Sequence, residues 1–170
     1  MGNMLTHLSC RRKGIINNNY YFEKTMNETL TVEATINAPI QKVWEMYNRP
    51  EHIMQWNNAD ASWHTPSAEN DLRTGGKFTY RMEAKDGSGG FDFTGIYDEV
   101  VENNLIRYTM GNAEEVIKQD ARKVAVTMAE ENGQTKVSVT FDMENQNTPE
   151  KQREGWQAIL DNFKNYVESN

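Results

Sequence analysis

The amino-acid sequence predicts an α+β fold in which a curved antiparallel sheet of about seven strands wraps one long C-terminal helix. Three observations carry that prediction. Apolar residues alternate with polar ones in segment after segment between residues 29 and 143, the mark of half-buried strands. Two short stretches after the first strand switch to helical spacing. The chain then closes on one long apolar stripe, again at helical spacing.

The elements follow in order. Leu30, Val32, Ala34 and Ile36 alternate with Thr31, Glu33 and Thr35 to give the first strand. Ala38-Pro39 stops it, and Pro39 suits a first helical turn. Ile40, Val43, Trp44 and Tyr47 share one helical face, and Pro50 opens a second short helix with Ile53 and Trp56 on one side. Residues 60–73 are irregular, with a short strand at Trp63 and a turn at Gly75-Gly76.

Phe78, Tyr80 and Met82 form the next alternation, and Asp86-Gly87-Ser88-Gly89-Gly90 reads as a hairpin loop. Phe91, Phe93, Gly95 and Tyr97 continue, but the register slips before Val100, so a bulge is expected at Gly95 or its neighbours. Ile106, Tyr108 and Met110 make a further strand. Residues 112–120 break the rhythm as a helical turn or a loop. Val124, Val126 and Met128 pair with Val137, Val139 and Phe141 across Asn132-Gly133, a strong two-residue hairpin signal. Thr148-Pro149 caps the last helix, which runs to about Glu168, roughly 30 Å. Trp156, Ile159, Leu160, Phe163 and Val167 form its stripe. Gly155 beside Trp156 reads either as a point of close approach or as an exposed glycine. One helix on a strongly curved sheet leaves space at one end, where an apolar ligand would sit.

A chain of 170 residues fits one domain, and no second domain or repeat is visible. Residues 1–25 lack any burial pattern and read as a disordered extension, with the domain over 26–170. A second reading attaches to Gly2 and Thr6, which match the minimal myristoylation pattern, with Cys10 and Arg11-Arg12-Lys13 behind them. No secretory signal and no apolar run of membrane-spanning length is present. The lone Cys10 forms no internal disulfide, so the expected compartment is the cytoplasm. Net charge is −7, and residues 1–25 hold a surplus of three positive charges, leaving −10 on the rest. An acidic body without a basic stripe argues against nucleic acid as a partner.

Several motifs stand together: Val43-Trp44, Pro50-Glu51-His52, Trp56, Gly75-Gly76-Lys77-Phe78, Met82 and Asp86-Gly87. Gly95-x-Tyr97-x-Glu99-Val100 and Gly155-Trp156-x-x-Ile159-Leu160-x-x-Phe163 complete the set. In order and spacing the chain resembles the SRPBCC (START-like, helix-grip) superfamily over residues 29–168. The branch it resembles is the one related to the C-terminal domain of the activator of heat-shock protein 90 ATPase. The resemblance implies a cavity between sheet and long helix, but no single activity, since binders, cyclases and chaperone-associated domains share the fold. The stretch 112–119 departs from the pattern as an insertion, either a lid or an inert loop.

Expected ligand-binding residues are the aromatic and apolar set of the inner face: Trp63, Phe78, Tyr80, Met82, Phe91, Phe93, Tyr97, Trp156 and Leu160. Trp156 leads the helix stripe, and Tyr80 and Tyr97 offer hydroxyls to a ligand oxygen. The one catalytic candidate is His64, as a proton shuttle beside a carboxylate; the competing reading is a surface histidine near a turn. Asp92 is a further polar candidate; Arg81 and Glu83 share one strand face, two residues apart, and the alternation puts them outside as an exposed pair. His7, His52 and His64 lack metal-ligand spacing, and no phosphate loop or nucleophile elbow is present, so no metal or cofactor is expected.

Three functions are weighed. The first is non-enzymatic binding of a small hydrophobic molecule, as a carrier or stress-response accessory. The second is an enzyme resembling polyketide cyclases and aromatases. The third is a chaperone-interaction module. A symmetric homodimer stays open.

Overall fold

In the computed structural model, which describes residues 28–111 and 121–170, strand β1 (Thr29–Ile36) leads into helices α1 (Ile40–Asn48) and α2 (Pro50–Trp56). Six strands follow: β2 (Trp63–Asn70), β3 (Lys77–Ala84), β4 (Gly90–Val101), β5 (Leu105–Met110), β6 (Arg122–Glu131) and β7 (Gln134–Asp142). Helix α3 (Pro149–Ser169) ends the fold. All strands pair antiparallel in the order β1-β7-β6-β5-β4-β3-β2, and the sheet curls into a half-barrel. The expected extension over 1–25 and the expected insertion at 112–119 lie outside the described residues.

Each element forms for the reason its pattern gives. In β1 every second side chain is buried, from Leu30 to Ile36. The β6–β7 turn places both Asn132 and Gly133 at positive φ, 53° and 76°, the conformation that matches the twist of a tight hairpin. Thr148 Oγ1 accepts a hydrogen bond from the Lys151 N–H, and Pro149 fills the first helical position.

Strand β2 is longer than the sequence suggested. It runs eight residues through Pro66, because it is an edge strand and its register with β3 shifts between His64 and Ser67. A second shift falls between Tyr97 and Glu99, where Asp98 is the extra residue, three positions beyond Gly95 and before Val100.

Helix α3 crosses the concave face along β1. Leu160, Phe163 and Val167 are buried there against Val32, Ile36, Val43 and Ile53. Two clamps set its position. Gln152, itself buried, donates from Nε2 to the carbonyls of Glu144 and Asn147 and accepts at Oε1 from the Glu144 N–H. At the far end Glu168 accepts from the Asn37 N–H at 2.8 Å. Gly155 borders open space, which is the exposed-glycine reading.

Gly95 is different. It faces Phe78 across β3–β4, and the ring lies over it: an added Cβ would stand 2.4 Å from Phe78 Cζ and 2.7 Å from the Thr109 carbonyl oxygen. Gly95→Ala should therefore destabilise the domain by about 1–3 kcal/mol, the usual cost of overpacking. Urea denaturation measures it. The cost should shrink in a Phe78→Leu background, and an undiminished cost there would assign the clash to the Thr109 backbone alone.

Candidate functional site

Helix α3 covers the β1–β7 side of the concave face more fully than the β3–β5 side. Between them lies a cavity of about 440 Å³. Its size is that of a site for one drug-sized molecule.

The β3–β5 wall is a layer of rings that alternation turns inward. Phe78 stacks on Tyr80 with centroids 5.1 Å apart, and Phe93 lies 5.6 Å from Phe78. Tyr97 and Tyr108 close the layer, Tyr108 meeting Phe78 edge-on at 5.1 Å. On the helix side Trp156 stacks on Phe141 at 4.5 Å, with Leu160 one turn on. Trp63, Met82 and Phe91 line the β2–β4 end, where Phe91 is 50% exposed and lies 6.0 Å from Trp63. All nine residues named from the sequence thus border one cavity.

His64 does not. Its partner in β3 is Glu83, and it stands on the outer face with its side chain 44% exposed and Nε2 4.0 Å from Glu83 Oε2. Arg81 joins the same outer group, donating to Glu83 at 2.8 Å and to Asp92 at 3.3 Å. Arg81 and Glu83 are the exposed pair that the alternation implied, and Asp92 joins them.

The structure adds wall residues that the sequence did not single out: Tyr47, Tyr108, Asn57 and Arg122. Tyr47 stacks on Trp56 at 5.2 Å and meets Phe163 edge-on at 5.0 Å. Arg122 shares the parity of Val124, Val126 and Met128, all buried, so alternation alone assigned it to the inner face. Tyr108 likewise pairs with Val124.

The wall's polar atoms are few. Tyr80 and Tyr97 hydroxyls lie 3.3 Å apart, and Asn70 Nδ2 reaches Tyr97 at 3.5 Å while donating to the Asn48 carbonyl at 2.7 Å. Asn57 Nδ2 is buried without a hydrogen-bond partner among the described residues. Burial pushes the phenols of Tyr47, Tyr80, Tyr97 and Tyr108 above their ordinary value, and the proximity of Tyr97 adds to this for Tyr47, Tyr80 and Tyr108. They are neutral hydroxyls at physiological pH. Among the described residues, no group of three or more acidic, His or Cys side chains is arranged to hold a metal ion.

The model of the family described as Activator of Hsp90 ATPase homolog 1-like protein matches residues 37–168. The chain belongs to this family. It is a branch of the SRPBCC superfamily, as the motif order implied. The solution structure of the AHSA1-like protein from Aeromonas hydrophila is 44% identical to this chain, covering 84% of it and 93% of the other, with a TM-score of 0.75. Chr148 from Cytophaga hutchinsonii is 48% identical over 82% of this chain and 92% of its own, with a TM-score of 0.68. A crystal structure of a putative uncharacterised protein from Rhizobium leguminosarum, 24% identical over 85% and 97% of the two chains, shares the fold at a TM-score of 0.67. No curated protein matches the chain. The AHSA1-like fold commonly binds hydrophobic ligands, and no helix among the described residues is long and apolar enough to cross a membrane.

The buried phenols of this AHSA1-like domain have a measurable consequence. Their folded-state pKa values lie above the unfolded value near 10. Above that pH the unfolded chain releases protons that the folded one keeps, so stability is full below it and falls as pH rises through the folded values. Urea midpoints should be insensitive to these groups up to about pH 9 and drop above about pH 10. Tyr108→Phe should flatten that alkaline slope; an unchanged slope would remove Tyr108 from the account.

Proposed function

We propose that this member of the Activator of Hsp90 ATPase homolog 1-like family binds a small hydrophobic molecule between sheet and α3, as a non-enzymatic carrier or stress-response accessory. The observation that carries the reading is the ring-lined cavity of about 440 Å³. Side chains that could have closed it are held back instead. Phe78, Tyr80 and Phe93 lie flat against one another along the wall, and Trp156 is held against Phe141.

The cyclase alternative cannot draw on His64 without moving it from the outer face. A tyrosine would have to carry the proton, and burial holds those phenols above the range in which acid–base catalysis works well near neutral pH. The chaperone-module alternative rests on the family description rather than on a residue of this site. Cytoplasmic residence, proposed from the single cysteine, suits any of the three.

Native mass spectrometry of the full chain, purified gently from its own host, tests the proposal. A stoichiometric small apolar adduct released on denaturation is the expected result. An empty protein that also fails to bind hydrophobic fluorescent probes would overturn it. Ile159→Trp, which fills the cavity from the helix side, should weaken probe binding by about tenfold or more while the melting temperature stays near wild type.

A further inference from the structure

We infer that the cavity is built for an anionic aromatic amphiphile, a flat apolar body with one acidic head group such as a carboxylate or sulfonate, and that Arg122 receives the head. The inference rests on the binding proposal above and specifies its ligand class.

Among the described residues of the wall, Arg122 carries the only formal charge; the rest are apolar or aromatic side chains, phenols and asparagines. It begins β6 on the concave face, paired with Met110 and one step from the Tyr108–Val124 pair. Among the described residues its one hydrogen bond runs from Nε to the Asp142 carbonyl, 2.9 Å, which fixes the guanidinium plane and leaves both terminal amino groups without an acceptor. No carboxylate among the described residues pairs with it within 4 Å; Glu144 and Asp142 act on it from further off. An arginine presents five donors in a rigid fork and stays charged when half-buried. A half-buried cation with unfilled donors is costly unless an anion meets it.

The neighbouring chemistry fits the same head group. Tyr108 lies close enough to interact electrostatically with Arg122, and its neutral hydroxyl can donate to an anion that the guanidinium binds. Among the described residues the β2–β4 side of the wall, several strands away, offers no second cation: it is Trp63, Met82 and Phe91. The polarity is therefore one-ended, acid head at β6 and apolar body along the Phe78–Tyr80–Phe93 rings. Planar rings favour a planar body by stacking. The protein body is strongly acidic, so the general surface field repels anions. Any anion preference must come from this local site.

A matched pair of fluorescent probes tests the inference. Anilinonaphthalene sulfonate and N-phenylnaphthylamine share one ring system and differ by the acidic group. Wild type should bind the sulfonate more tightly despite the acidic surface. Arg122→Gln should weaken the sulfonate by about tenfold or more, the worth of one charge-assisted hydrogen bond, and leave the neutral probe within about twofold. Arg122→Lys should recover part of the loss. Retained binding of the neutral probe shows that the variant is folded. Equal or weaker binding of the sulfonate by wild type overturns the inference whatever the variants do, and so does a sulfonate affinity unchanged in Arg122→Gln. Failure of both probes on wild type removes the binding proposal itself, a different result from loss of the anion preference.

Discussion

A seven-stranded curled sheet offers more apolar concave surface than one helix can cover, and the rest of the molecule follows from that mismatch. Helix α3 spans 21 residues, about 32 Å, and lies along β1. There Leu160, Phe163 and Val167 belong to the same buried cluster as Val32, Ile36, Val126, Val137 and Phe141. Helices α1 and α2 extend the cover, with Trp56 and Tyr47 reaching Phe163. Among the described residues no helix lies across the face over β3, β4 and β5, and there the sheet turns to aromatic residues. Branched aliphatics fill the covered half and rings line the open half.

The open half holds its shape through the sheet itself. Gly95 lets the Phe78 ring lie over the backbone of β4, and that ring touches Tyr80, Phe93, Tyr97 and Tyr108. The extra residue at Asp98 bends β4 just beyond, and Asp98 is not wasted there: it accepts from the Thr109 hydroxyl at 2.7 Å across the bulge. Curvature and ring layer are thus one device. The backbone bends where the glycine and bulge permit, and the rings keep the bend from closing on itself.

Most of this was legible as periodicity. The strands β1, β3, β6 and β7 and the stripe of α3 each turn inward the residues that alternation or helical spacing assigned, with Tyr80, Trp156 and Ile159 half-buried where they border the cavity. Strand β2 was legible only at Trp63. Its Pro66, Ser67, Glu69 and Asn70 carry little strand propensity, and the edge position in the sheet, a tertiary fact, is what makes them a strand. At the site, the aromatic residues were found because they are conspicuous. Tyr108 stands in the alternation of its strand, and Arg122 precedes the apolar alternation of β6 as a charged residue. Its parity with Val124 and Val126 assigns it to the inner face. His64 is the reverse case: it is chemically suggestive, but its register partner Glu83 shares the outer face with Arg81, which fits the surface reading weighed beside the proton shuttle.

The few polar groups in the wall answer a stability problem as well as a recognition problem. A sealed, dry apolar void of about 440 Å³ would cost on the order of 10 kcal/mol, comparable with the whole stability of a small domain. The cavity is tolerable only if something occupies it, and between ligands that something is water. Water needs partners, and an all-hydrocarbon wall would give it none. The phenols of Tyr80, Tyr97 and Tyr108 and the guanidinium of Arg122 are groups in the wall that could partner water while staying neutral or fixed in charge. On the proposed reading, a ligand with a polar head and an apolar body would replace that water at both ends, returning the hydrogen bonds at Arg122 and releasing the poorly held water along the rings. Binding and the persistence of the cavity then draw on the same small set of atoms.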